Sequence, residues 1–169
     1  MQITLTQKER MLLEDQKSHE QLCIEKYNKY ANQAQDPQLK QIFKANEQSE
    51  RTHLDTINQL LSGTVPQMNQ QQSQQQGQQQ NQQQSQQQNQ GSIQSMNNTQ
   101  SVQSNLTDKD MCSDLLMTEK YVSGTYNTAI FEFKNPEVRN VLNHIQKEEQ
   151  QHGEAIFKYM ESKGMYNVQ

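Results

Sequence analysis

The sequence predicts an all-α protein of four long helices, and three observations predict it. The first is composition: long stretches rich in Leu, Lys, Glu and Gln, with no Trp, three Pro and six Gly, favour helix over sheet. The second is a break. From Thr56 to Thr107 the chain carries no Asp, Glu, Lys or Arg, and its middle reads QQQSQQQGQQQNQQQSQQQNQ. The third is repetition. Aligned on Pro37 and Pro136, an offset of 136 − 37 = 99, DPQLKQIFKANEQSERTHLDTINQLL lies over NPEVRNVLNHIQKEEQQHGEAIFKYM.

The break divides the chain. With 169 residues, net charge −4, 30% hydrophobic residues and mean hydropathy −1.16, the chain is too polar for one core filling its whole length. A Gln tract cannot bury enough apolar surface to offset its ordering entropy. Residues 63–105 are therefore expected to be a disordered linker between a first helical hairpin, 1–62, and a second, 106–166. MQITLTQKER has no apolar signal-peptide core, and no run approaches the roughly 18 apolar residues of a membrane span. Secretion by a signal peptide and membrane insertion are not expected. Lys and Arg are scattered among Glu and Asp and form no basic face, which argues against nucleic-acid binding. Cys23 and Cys112 fit neither a metal ribbon nor a disulfide framework and read as small buried side chains. A disulfide between them is not expected.

The elements follow in order. Helices are expected over 6–34, 37–61, 107–133 and 136–162. Each hairpin turns at Asp-Pro or Asn-Pro, where proline disfavours helix in the residue before it and can itself begin the next. Asp36 and Asn135 are good N-caps for the second and fourth helices. Thr107 caps the third, with Asp110 standing in for a capping-box Glu, and Gly164 ends the fourth. The repeat is an internal duplication of one hairpin.

Each helix carries one apolar stripe at three-and-four spacing, and each stripe has a Glu in the middle: Glu20, Glu50, Glu119 and Glu149. The second and fourth stripes add His53 and His152. All obey the offset of 99. Glu20 and Glu50 each lie 15 residues from the first turn near residue 35, about 22 Å along antiparallel helices, so they face each other. Glu119 and Glu149 do the same around the second turn. All four fall near mid-helix, where two hairpins related by a perpendicular two-fold bring their centres together. The long linker can run back along the bundle as a ferritin-like crossover requires; an up-down-up-down order stays open.

Four carboxylates in an apolar interior are very unfavourable alone. Each unpaired buried ion costs several kcal/mol, and a domain is stable by only about 5–15 kcal/mol. No Lys or Arg lies on the stripes at that height, and two His cannot balance four Glu. Two divalent metal ions can. One Glu from each of two helices plus Glu-x-x-His from each of the others is the ligand set of di-iron and di-manganese bundles, and such mixed donors suit iron, manganese or zinc. Iron or manganese is the expectation, with Glu20, Glu50, His53, Glu119, Glu149 and His152 as ligands. A degenerate site with protonated carboxylates is the competing reading. The bland alternative for the single motif is a solvated i,i+3 pair, with Glu148, Glu149 and Glu154 as a polar face. Tyr27 and Tyr126, two turns beyond Glu20 and Glu119 on the same stripes, are either hydrogen-bond donors to the ligands or core filler, and core filler is the expectation.

The stretch LTDKDMCSDLLMTEKYVSGTYNTAIFEFKNPEVRNVLNHIQKEEQQHGEAIFKYMESKGMY, residues 106–166, resembles the coat F family of spore coat proteins of endospore-forming Firmicutes, above all in TEKYVSGTYNTAIFE and NPEVRNVLNHIQKEEQQHGE. The first half is similar to that family's N-terminal extension. The resemblance implies a ferritin-like bundle, synthesis in the mother cell, and a place in the spore coat beside other coat proteins. It implies no enzyme, and no catalytic residue is carried over.

Two functional classes follow. One is a structural or protective coat component, self-associating through a Gln-rich linker whose glutamines can be cross-linked to lysines such as Lys120 or Lys147. The other is a di-metal oxidoreductase that oxidises Fe(II) or consumes peroxide. A metal-stabilised scaffold without turnover is a third possibility.

Overall fold

The computed structural model describes residues 1–67 and 106–166. Beyond residue 67 the expected linker lies outside the described residues. Four helices form: α1 Gln7–Gln33, α2 Pro37–Leu61, α3 Asp108–Glu132 and α4 Pro136–Ser162. Among the described residues there is no strand; one isolated bridge joins Gln2 and Thr64.

The helix ends follow local chemistry. Asp36 and Asn135 accept backbone N–H bonds from the first turns of α2 and α4, each with proline at its start. Thr107 and Asp110 form the expected capping box, and Thr6 with Glu9 forms a second one at the start of α1. Gly164, at φ 66°, follows α4 in the left-handed region that a side chain disfavours.

The polar contacts between helices fix the connectivity. Lys26 Nζ pairs with Asp114 at 3.0 Å and Thr125 Oγ1 donates to Gln16 at 2.9 Å, so α1 and α3 run antiparallel. At one end of the bundle the backbone N–H groups of Gln35 and Asp36 donate to Asp108 at 2.9 and 3.0 Å. At that same end Lys163 pairs with Asp36 at 2.8 Å. The turn between α1 and α2 therefore meets the start of α3 and the end of α4. At the other end Lys134 N–H donates to Glu9 Oε1 at 3.0 Å. The chain leaves α2 at one end and enters α3 at the opposite one, which is the crossover order; up-down-up-down is excluded.

The first residues of the expected linker are paired. Ile3 N–H donates to Gly63 O at 2.8 Å and Val65 N–H to Met1 O at 2.9 Å. Gly63 sits at φ 84°, where an added Cβ would lie 3.0 Å from Ile3 O, so glycine is required there. Val65 is buried in the core; a lone Val before Pro in a polar stretch gave no sign of this.

The core is the four stripes facing inward. Leu13, Leu39, Phe43, Leu115, Leu142 and Ile156 are completely buried, each contributing about 1.5–3 kcal/mol. On α2, Phe43 is buried and Ile42 only half so. Cys23 and Cys112 are buried free thiols.

Candidate metal centre

Within this apolar frame sit six completely or nearly completely buried ionisable side chains. Glu20, Glu50, Glu119, Glu149, His53 and His152 are at most 6% exposed, and the helices bring all six together at mid-height. They form two sets of four: Glu20, Glu50, His53 and Glu149, and Glu50, Glu119, Glu149 and His152. In each set one donor atom per residue lies within 4.8 Å of the others. Glu50 and Glu149 belong to both sets, so these carboxylates stand between the two positions.

The contacts repeat at the same offset of 99. His53 Nδ1 lies 3.1 Å from Glu149 Oε1, and His152 Nδ1 lies 3.0 Å from Glu50 Oε1. Tyr126 donates to Glu20 Oε1, and Tyr27 donates to Glu119 Oε1. Each tyrosine holds one oxygen of its carboxylate and leaves Oε2 facing the cluster. Core filler was the expectation for these tyrosines, and the structure corrects it: both are completely buried and both donate to the carboxylate on the neighbouring helix. The sequence puts Tyr27 on the stripe of Glu20, yet its hydroxyl crosses to Glu119 because α1 and α3 run antiparallel.

The electrostatics divide the carboxylates into two kinds. Burial, reinforced by the neighbouring carboxylates, pushes Glu20 and Glu119 well above the usual carboxylate range. Burial acts on Glu50 and Glu149 in the same direction, but His152 and His53 outweigh it and hold both below that range. Burial lowers the two imidazoles, yet the surrounding carboxylates raise both well above the usual histidine value. Without metal, bound protons neutralise the cluster.

Protons do not satisfy its geometry. Glu20 Oε2, Glu50 Oε1, Glu119 Oε2, both oxygens of Glu149 and His152 Nδ1 are buried with no well-aligned hydrogen bond; what they have are ion-pair approaches between the carboxylates and His53 or His152 at 3.0–3.7 Å. These six atoms all belong to residues of the two sets. A cation in each set would draw these donors into direct contact, so the donor set fits divalent metal.

Sequence reasoning missed Glu148. Only the bland alternative gives it a place, as polar face, whereas its Oε2 lies 2.8 Å from His53 Nε2, on the side of the ring away from the cluster, and its Oε1 lies 3.4 Å from His144 Nε2. A carboxylate behind a ligating imidazole fixes its tautomer and orientation. The position related by the offset, 148 − 99 = 49, is Ser49, which carries no charge. The two halves of the cluster differ here. Asn46 adds a bond to the Tyr27 hydroxyl at 3.1 Å.

The Coat F domain matches residues 107–169, the stretch containing α3 and α4 and hence Glu119, Glu149 and His152. The chain is also 31% identical over 79 residues to "Uncharacterized protein YusN" of Bacillus subtilis (strain 168), covering 45% of this chain and 72% of that protein. The chain belongs to the Coat F family. No solved structure matches it. In this Coat F protein half of the cluster, Glu20, Glu50 and His53, comes from helices that precede the matched region. The Coat F segment supplies one hairpin, and the preceding hairpin closes the site.

Proposed function

We propose that this Coat F protein is a structural and protective component of the spore coat whose ferritin-like bundle holds two divalent metal ions, iron or manganese. The observation that carries the metal reading is the convergence of six buried Glu and His side chains, with donor atoms that find no well-aligned hydrogen bond, into two sets of candidate ligands. Family membership supports the coat location and association with other coat proteins. The charge-free Gln tract supports self-association as a property of its composition.

Glu20 and His53 would hold one ion and Glu119 and His152 the other, with Glu50 and Glu149 shared. Bound there, such metals supply Lewis-acid and one-electron chemistry. The protein's own residues prepare the site. Tyr27 and Tyr126 orient the unshared carboxylates, and Glu148 orients His53.

A second reading, an oxidoreductase that oxidises Fe(II) or consumes peroxide at the coat, is favoured by one feature: a cleft between α3 and α4 that reaches Glu119 and Glu149. Among the described residues no helix is long and apolar enough to cross a membrane. A fluorescent fusion followed through sporulation tests the location, with a ring around the forespore expected and signal spread through the mother cell contradicting it. Fe(II) oxidation by the wild type and by Glu50→Ala plus Glu149→Ala tests turnover. Equal rates would exclude the oxidoreductase.

A further inference from the structure

The two halves of the bundle are not equally closed. A cavity of about 470 Å³ opens between α3 and α4, with Leu116, Phe157 and Tyr166 among its walls and Glu119 and Glu149 at its floor. Both floor carboxylates are buried, and their oxygens toward the cluster meet only the two imidazoles, without a well-aligned hydrogen bond. Ser123 and Gly153 also line it. At the offset of 99 these two correspond to Ile24 and Leu54 on the α1/α2 side, so one side of the centre lacks two aliphatic side chains that the other has.

Packing does not require the glycine. A Cβ at Gly153 would meet Leu116 Cδ1 at 3.6 Å and Glu119 Cβ at 3.8 Å, ordinary van der Waals distances. Glycine within a helix is unfavourable relative to alanine. The residue therefore weakens α4 and leaves space against Glu119 in return.

We propose that this cleft is the site at which an exogenous ligand reaches the Glu119 and His152 side of the centre, and that it takes a small uncharged molecule with an oxygen donor. Uncharged ligands fit because the walls are apolar. At the rim Glu154 is paired with Lys158, and Lys120 is solvent-exposed, where its charge is screened. A cavity of this size lies in the range of small-molecule sites and accommodates molecules from peroxide to a phenol ring. The other side of the centre, where Glu148 backs His53, then serves the fixed ion. This assignment of sides rests on the di-metal reading.

The test titrates 4-fluorophenol into full-length, metal-free wild type, Gly153→Ala and Gly153→Leu, followed by the fluorine line width. The wild type is expected to bind, Gly153→Leu at least tenfold more weakly, and Gly153→Ala to an intermediate degree with a raised Tm. Equal affinity in all three overturns the proposal. Should Gly153→Leu fail to fold, Gly153→Ala decides it, because its Cβ makes only ordinary contacts. In cobalt-loaded wild type the bound probe is expected to broaden more than in zinc-loaded protein; equal widths overturn the claim that the cleft opens on the centre. If the wild type takes up neither metal, the di-metal reading fails, while the metal-free titration still decides whether the cleft is a ligand site.

Discussion

The Tyr27 hydroxyl on α1 donates to Glu119 Oε1 on α3 and leaves Oε2 of the same carboxylate buried without a well-aligned hydrogen bond. Tyr126 does the same for Glu20. The arrangement aims one oxygen by restraining the other, and burial keeps both phenols protonated by pushing them well above their ordinary range. Tyr27→Phe and Tyr126→Phe keep the ring volume and remove the donor. Each is expected to lower metal affinity about 10–100-fold, measured by chelator competition, while the fold survives by circular dichroism.

Glu148 stands behind His53, and Ser49 occupies the offset-related position. Glu148→Gln is therefore expected to act on one metal position. Calorimetric titration should show two binding steps in the wild type, with one weakened in the variant and the other unchanged. Equal weakening of both would show that Glu148 supports the whole cluster.

Metal that binds the native state alone stabilises it by mass action, about 2.7 kcal/mol when free metal is a hundredfold above Kd. For a bundle of this size that is several degrees in Tm. Chelation is expected to lower the Tm of the wild type by that much and to leave Glu50→Ala plus Glu149→Ala unmoved. Because the ligands must shed protons to bind, the stabilisation by metal should shrink as pH falls.

Asp36 carries a separate pH dependence at the bundle's end. Lys163 beside it, with the Gln38 backbone N–H and the Tyr159 hydroxyl, holds its carboxyl down at about 2. The folded value lies below the unfolded one, so its stabilisation is fully present above about pH 4 and is lost as pH falls toward about 2. Asp36→Asn retains an N-cap residue, as Asn135 shows at the equivalent turn. The Tm gap between wild type and Asp36→Asn should be present at pH 5 and close toward pH 2.

Much of this was legible in the sequence because it is local or periodic. Proline after Asp36 and Asn135 marked both turns, three-and-four spacing placed every helix, and equal distance from the turn brought the six candidate ligands to one height. What was not legible depends on how helices are rotated and ordered against one another. Both connectivities bring mid-helix residues together, so nothing before the contacts of Asp108 and Lys134 distinguished them. Glu148 neighbours Glu149 on α4, and only the closeness of α2 turns it toward His53. The tyrosine hydroxyls cross to helices that their own stripes do not name. The cleft exists through two missing side chains, Ser123 for Ile24 and Gly153 for Leu54, and stripe analysis, which looks for what is apolar, passes over such positions.

The central claim is that the cluster holds two metal ions, and its most direct test is metal content by mass spectrometry. The protein is purified without a His tag from iron- and manganese-replete medium. Two iron or manganese ions per chain are expected in the wild type and none in Glu50→Ala plus Glu149→Ala; a metal-free wild type that melts like the double variant would contradict the account.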